Sequence, residues 1–363
     1  MRIAVVHNAV VHDAKGHDAK YLTGRPDQED TLAQAIAVRE ALLARGHEAE
    51  LMAVDLDLKA AGVRLSAFAP DVVFNLVEEL ENNIRMAPLA PALYAHLGIP
   101  FTGADAQSMT LSGDKLLCKQ ILNTAGLHTP AWIKEDGTCG GMSELFHEHD
   151  AFVPGRYLCK SVHEHASLGI DDSCLVDAAA AADVTTTLAR CRSNHGGQWF
   201  AERYVDGREF NIAAVTDGQD GVRILPFAEI EFTGFAADRP KIVGYAAKWH
   251  DNTFEYHNTV RRFDFPEADS PMLDMLSEAT AACWKAFGLA GYARVDFRVA
   301  GDGSAQSPFR PFIIDVNSNP CIAPDAGLAA AALRAGVSFE ALVDMIVRDA
   351  CNNGTAYAGN NHA

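Results

Sequence analysis

ARVDFRV (293–299) and PFIIDVNSNP (311–320) are two apolar, strand-like runs joined through AGDGSAQS (300–307), a polar, glycine-containing connection of the hairpin type. Asp315 and Asn317 stand two apart, so on a strand both side chains leave one face. Asp296 lies mid-strand in the neighbouring run, where it can meet them. Two carboxylates and an amide carbonyl are hard oxygen donors, the set that Mg²⁺ accepts when substrate phosphates complete its shell. Arg294 precedes Asp296 by two and shares its face. Val295, Phe297, Ile313 and Ile314 give both runs an apolar, buried side. Carboxylates inside such strands are costly unless a cation compensates them, which favours a metal site over a solvated polar face.

Upstream of this pair the chain opens with RIAVV (2–6), a buried-strand run, and changes to helical period over Thr31–Arg45, ended by Gly46. AELMAVD (49–55) and DVVFN (71–75) read as two more strands, and Met86–Leu97 as a helix closing at Gly98. That order predicts a small open α/β domain over 1–105. No G-x-G-x-x-G follows the first strand, so it is not a dinucleotide site of the usual kind. DKLLCKQILNTAG (114–126) reads as a helix, with strands at AWIKE (131–135) and RYLCK (156–160) and an alanine-rich helix near 178–191. Strand-like runs dominate 198–232: QWFAERYV, EFNIAAVT and VRILPFAEIEF. A helix over about 270–287 leads into the two decisive strands, and two helices follow. Ser338 is placed to cap the last helix, and 351–363 reads as a frayed tail.

Composition narrows the function. The net charge of −18 gives no counterion-release gain along a phosphate backbone, so no nucleic-acid partner is expected. No apolar run approaches the roughly 18–20 residues of a membrane helix, and the N-terminus lacks the order of a signal peptide. The eight cysteines are scattered without a C-x-x-C pair, which suits a reducing cytoplasm rather than a disulfide framework. His7, His12 and His17 share no helix face and read as loop histidines.

ARVDFRV followed by IIDVNSNP resembles the metal-binding strands of the ATP-grasp superfamily, in particular its D-alanine–D-alanine ligase branch. The same order of segments continues over nearly the whole chain: LGIPFTGADAQSMTLSGDK (97–115), AGLHTP (125–130), LCKSVHEHASLGI (158–170), AERYVDGREFN (201–211), LPFAEIEF (225–232), YAAKW (245–249) and VSFEALVDMIV (337–347). The resemblance implies an α/β ATP-grasp fold with an N-terminal open α/β domain (1–105), a central subdomain with a phosphate loop (106–192), a C-terminal subdomain with the metal site (193–350), and a tail. It implies ATP as nucleotide and Mg²⁺, two ions with Mn²⁺ as a substitute, on Asp296, Asp315 and Asn317. Lys115 and Lys160 would reach the phosphates, Ser167 and Gly169 would offer backbone N–H groups to the γ-phosphate, and Lys248 would close over it. Glu202 would accept from the adenine amino group, the main chain of Arg203 and Val205 would frame the adenine edge, and Glu209 would bind the ribose.

The implied reaction is phosphoryl transfer to a substrate carboxylate, then attack of an amine on the acyl phosphate. Arg294 and a backbone N–H near Asn319–Cys321 would stabilise the oxyanion. The expected partners are small molecules, and the pattern leaves room for a homodimer. The departures from the family fall on substrate recognition. Asp27 or Glu29 would stand in for the glutamate of the first turn, and Glu78 and Glu79 occupy the region of a histidine–glycine segment. Ala326 stands where the family serine binds the second carboxylate, Trp249 replaces a tyrosine, and Ala166 replaces a serine. Cys321 lies near the acyl centre, where no nucleophile is needed. A ligase with substrates other than D-alanine and an inactive nucleotide-binding module are the alternatives.

Overall fold

The computed structural model describes residues 1–9, 26–141, 152–164, 169–218, 221–236 and 239–353, with the side chains of residues 26–29, 246 and 353 outside that description. The N-terminal sheet is parallel. Its central strand β1 (Arg2–Asn8) pairs with β2 (Glu48–Val54) and β3 (Val72–Leu76), in the order β2-β1-β3. Helices α1 (Pro26–Ala44), α2 (Leu58–Phe68) and α3 (Leu89–His96) complete the lobe. The expected open α/β domain is present, with one helix more than periodicity shows. LKAAGVRLSAF is short and carries a glycine, which weakens its helical signal. Asp57 nevertheless caps α2 by accepting from the Ala60 N–H, and Gly62 sits within van der Waals reach of Leu93 and Leu97 of the next helix.

Helices α4 (Ala106–Gly113) and α5 (Lys115–Thr124) come next, and Asp114 caps α5 by accepting from the N–H groups of Leu116 and Leu117. The central sheet is antiparallel and contains β4 (Trp132–Lys134), β5 (Cys139–Gly140), β6 (Gly155–Ser161), β7 (Leu175–Ala178) and β8 (Trp199–Arg203), in the order β5-β4-β8-β6-β7. Helix α6 (Ala181–His195) covers one face, packing Val184, Leu188 and Cys191 on Ile133, Tyr157, Cys159 and Ala201. The change of sheet therefore falls between Arg203 and Arg208, later than the 192/193 division expected from sequence, because QWFAERYV pairs with RYLCK.

The third sheet holds β9 (Arg208–Asp217), β10 (Gly221–Ile224), β11 (Ala228–Phe232), β12 (Thr259–Arg262), β13 (Tyr292–Ala300) and β14 (Arg310–Asn317). Its order is β12-β11-β9-β13-β14, with β10 also on β9. VRILPFAEIEF thus breaks at Leu225–Phe227 into two strands. Short helices α7 (Tyr245–Trp249) and α8 (Phe254–Asn258) lie between β11 and β12. Helix α9 (Ser270–Phe287) packs with α5 on the apolar face of this sheet, burying Phe210, Ile212, Val295, Phe297 and Val316. Helices α10 (Gly327–Arg334) and α11 (Phe339–Asn353) join the N-terminal lobe, because Leu342, Val343, Ile346 and Val347 share a core with Ile3, Val5, Val38, Leu42 and Phe74. Ser338 accepts from the Ala341 N–H as expected, and α11 takes in residues 351–353 of the presumptive tail.

Two local features shape the sheet facing the other lobe. A register shift between Asp296 and Phe297 skips Ile314, so Ile313 pairs with Phe297 in the core while Ile314 lines the cavity. The expectation that Ile314 is buried with Ile313 is therefore corrected. At Gly207, φ is +155° and an added Cβ would lie 2.0 Å from the Val299 carbonyl oxygen, so only glycine lets the linker between the sheets rest on β13.

Candidate active site

Alternation in the strands builds the site. On β8, Ala201 faces α6, whereas Phe200 and Glu202 face the other way; Leu158 pairs with Glu202 and Lys160 with Phe200, so Lys160 and Glu202 are diagonal neighbours on one face. Lys160 Nζ lies 2.5 Å from Glu202 Oε1, and Lys119 Nζ, from α5, lies 2.7 Å from Oε2. Lys119 also donates to Thr129 Oγ1 at 2.7 Å, and Thr129 donates to the Ile313 carbonyl at 2.8 Å, tying this ion cluster to β14. All three charged side chains are buried. Burial alone would raise the Glu202 carboxyl, but the two ammoniums outweigh it and hold its pKa below the ordinary value. For Lys119 burial prevails over the carboxylate and lowers the pKa; for Lys160 burial is outweighed by Glu202, Asp315 and Glu209, and its pKa rises. Lys115, one helical turn before Lys119, donates to the Glu164 carbonyl at 2.7 Å.

On the third sheet the polar face carries Arg294, Asp296 and Arg298 of β13 in register with Asn317, Asp315 and Asn211, and Glu209. Arg294 grips Asp296 with both Nε (2.7 Å) and one Nη (2.8 Å). Asn211 and Asn317 also donate to this carboxylate, at 2.9 and 3.1 Å. Asp315 stands directly across the strand pair from Asp296, so two like charges oppose each other in a partly closed site. Arg298 is 4% exposed, low enough that each of its bonds replaces water. It donates to Glu209, the hydroxyl of Tyr204, and the carbonyls of Val205 and Lys241, at 3.0–3.1 Å. Burial raises the Glu209 pKa, with Asp296 adding to it and Arg298 opposing.

A cavity of about 930 Å³ separates these two faces and runs to the N-terminal lobe. Lys115, Lys160, Glu202, Arg203, Val205, Glu209, Lys248, Arg294, Asp296, Asp315 and Asn317 all line it. Gly169 does not: its open side faces Trp199 and His195, each about 3.2–3.3 Å from an added Cβ. Ser167 and Ala166 lie outside the described residues, as do the side chains of Asp27 and Glu29. At the N-terminal end the wall carries Asp30 and Glu78, and Glu78 accepts from Gln34 at 2.7 Å. Cys321 donates to Asp30 at 3.4 Å. Burial first, then Asp30 and Glu78, push its thiol pKa up, which suits a neutral, unreactive cysteine.

A family model described as D-ala D-ala ligase C-terminus matches residues 122–348, more than half of the chain. The chain belongs to the D-alanine–D-alanine ligase family. A D-alanine–D-alanine ligase of Anaeromyxobacter sp. (strain Fw109-5) is 28% identical over 88% of this chain and 92% of its own length. The uncharacterized protein y4sG of Sinorhizobium fredii is 26% identical over 96% of both. A crystal structure of the Bacillus anthracis D-alanine–D-alanine ligase complexed with ATP aligns with a TM-score of 0.68 and 20% identity, covering 98% of this chain and 99% of that one. The fold is thus the ATP-grasp fold.

Within this D-alanine–D-alanine ligase family frame, Asp296, Asp315 and the Asn317 amide are hard oxygen donors grouped at one end of the lysine-lined cavity, which fits Mg²⁺ rather than a thiolate- or imidazole-seeking metal. The opposed carboxylates are the kind of pair that a divalent cation relieves. Among the described residues no three His, Cys, Asp or Glu side chains form a cluster for a metal. Nor is any helix among them long and apolar enough to cross a membrane. All eight cysteines are free thiols.

Three residues of the site escape a reading of sequence alone. Lys119 follows Lys115 by four, so helical spacing places both on one face and is the signal that finds it. Arg298 follows Asp296 by two, and the alternation that selects Arg294 selects it equally. Asp30 has no comparable signal, since its place depends on where α1 begins.

Proposed function

We propose that this protein is an ATP- and Mg²⁺-dependent carboxylate–amine ligase that forms an amide bond through an acyl phosphate. The observation that carries this reading is the convergence of Lys115, Lys160, Lys248, Arg294 and the Asp296–Asp315–Asn317 group on one cavity. Glu202, with the main chain of Arg203 at the end of β8 and of Val205 on the linker, would receive the adenine, and Glu209 the ribose. Asp296, Asp315 and Asn317 would hold Mg²⁺, which when bound would supply neutralisation of phosphate charge. Lys115 and Lys160 bring fixed cations to the phosphate oxygens, so a substrate carboxylate can attack the γ-phosphorus in line and ADP can leave. An amine then attacks the acyl carbon, loses a proton, and expels inorganic phosphate. Arg294 spends Nε and one Nη on Asp296, which fixes its plane and leaves the other end of the fork for the developing oxyanion.

The substrate end favours a pair other than two D-alanines. Ala326 lacks a hydroxyl, Trp249 lines the cavity in place of a tyrosine, and Asp30 and Glu78 make the first-substrate wall acidic. An acidic wall suits the amino group of an amino-acid substrate. The test is a matrix of single and paired D- and L-amino acids and amines with Mg-ATP, reading ADP and the ligated product by mass. A pair that yields stoichiometric ADP and amide supports the reading. ATP binding without ADP from any pair replaces it with a nucleotide-binding module. Efficient D-alanyl-D-alanine synthesis with no competing pair overturns the substrate assignment alone.

A further inference from the structure

The two lysines on Glu202 are not equivalent. An ammonium has three N–H bonds, and Lys119 Nζ spends them on three acceptors. They are the Glu202 carboxylate at 2.7 Å, Thr129 Oγ1 at 2.7 Å and the Pro130 carbonyl at 3.5 Å. Thr129 gives its own proton to the Ile313 carbonyl of β14, so its oxygen can only accept from Lys119. Lys119 is 2% exposed and does not line the cavity, so no ligand there can reach it. Lys160 does line the cavity, and among the described residues Glu202 is its one ion-pair partner. Its remaining N–H bonds can serve groups that enter the cavity, and Asp315 and Glu209 attract it from the opposite face. Lys160 is thus the lysine that can move, and Lys119 the one that cannot. A buried carboxylate left without a cation is costly, so the movement of one requires that the other stay.

Resting on the placement of ATP in the ligase reading above, we infer that Lys119 is a positioning residue: it holds Glu202 in place while Lys160 turns from that carboxylate to the nucleotide phosphates. The tether runs from Glu202 on β8 through Lys119 and Thr129 to Ile313 on β14, the strand that carries Asp315 and Asn317. It fixes the adenine-reading carboxylate against the strand at the phosphate end, and Lys119 itself touches no nucleotide atom. As Lys160 leaves, Glu202 Oε1 becomes an open acceptor, the form that selects an amino donor. Without Lys119, Lys160 is the only cation left on a buried carboxylate and stays there. One lost lysine then withdraws two groups from the nucleotide, the second ammonium and the freed carboxylate oxygen.

The test is a double-mutant cycle read by calorimetric titration of Mg-ATP without amino acids, in wild type, Lys119→Met, Glu202→Gln and the double variant. In the wild-type background Lys119→Met should weaken ATP binding about ten- to a hundredfold, the worth of a lost charged hydrogen bond. In the Glu202→Gln background, where no carboxylate detains Lys160, the same substitution should cost less than about threefold. Lys119→Arg should recover part of the loss. Thermal melting of each variant establishes that it is folded. Equal losses in the two backgrounds overturn the inference, because a merely structural lysine costs the same in both. A folded Lys119→Met with wild-type ATP affinity overturns it too. If Lys119→Met does not fold, Thr129→Val takes its place in the same cycle and is judged by the same two outcomes. A wild type that binds ATP but forms no ADP with any amino-acid pair removes the ligase reading alone, since the cycle reads binding. A wild type that does not bind ATP removes both.

Discussion

The two ends of the cavity are built on different principles. At the end expected to take the nucleotide, strand register and helix α5 lock the charges: Lys119, Glu202 and Lys160 form one buried cluster, and Arg298 and Glu209 another. At the amino-acid end the groups come from helix starts, loops and an edge strand: Asp30, Glu78, Cys321, Arg261 and Ala326. A strand residue cannot change without disturbing its cross-strand partners, whereas a loop residue can. The resemblance read from the sequence matches at the first end and departs at the second. On the ligase reading proposed above, ATP chemistry and substrate choice would be carried by separable parts of one pocket.

The largest effect that could break this division comes from Asp315. Asp315→Ala removes one of the two opposed carboxylates and with it the phosphate neutralisation, worth several kcal/mol in the transition state. ADP formation should fall by about a thousandfold or more while thermal melting stays near wild type. Wild-type turnover in the purified variant would detach the metal assignment from this end of the cavity.

Glu202 tests whether the nucleotide end is also a structural core. Glu202→Ala leaves two buried ammoniums without their carboxylate, and breaking a buried ion cluster costs about 3–5 kcal/mol. Urea unfolding should show that loss at neutral pH. The pH dependence follows from the depressed pKa: the stabilisation from Glu202 is fully present above the ordinary value of 4.5 and is lost as pH falls below it through the folded value. Glu202→Gln should therefore flatten the acid limb of a stability–pH curve. A limb identical to that of wild type would mean that other carboxylates dominate acid unfolding.

A smaller effect sharpens the boundary between the two ends. Arg298 holds the linker carbonyl of Val205, the Lys241 carbonyl and Glu209 together, so it acts on the nucleotide through the groups it positions. Arg298→Met leaves Glu209 buried without its guanidinium, and a lost charged hydrogen bond is worth about 1.5–3 kcal/mol. KM for ATP should rise roughly ten- to a hundredfold with little change in amino-acid KM, and Arg298→Lys should recover part of it. A rise in amino-acid KM instead would show that the two ends are coupled through β13.

Much of this molecule is legible in its chain, and the reasons are local. Alternation along ARVDFRV and IIDVN puts Asp315 and Asn317 on one face of their strand opposite Val316, and Asp296 opposite Val295 and Phe297 on its own, because the side-chain period of a regular strand is two. The first strand, the helix over 270–287 and the capping of the last helix by Ser338 follow from the same kind of short-range rule. The family is legible because its matching segments recur in one order along the chain. Tertiary structure alone decided the rest. The skip at Ile314 depends on how β14 meets β13, and the boundary between sheets depends on β8 pairing with β6. Lys119 meets Glu202 and Asp30 meets Cys321 only when separate elements pack on one another. Such contacts join residues far apart in the chain, and no periodicity encodes them; burial and packing between lobes select them after each lobe has its own local structure.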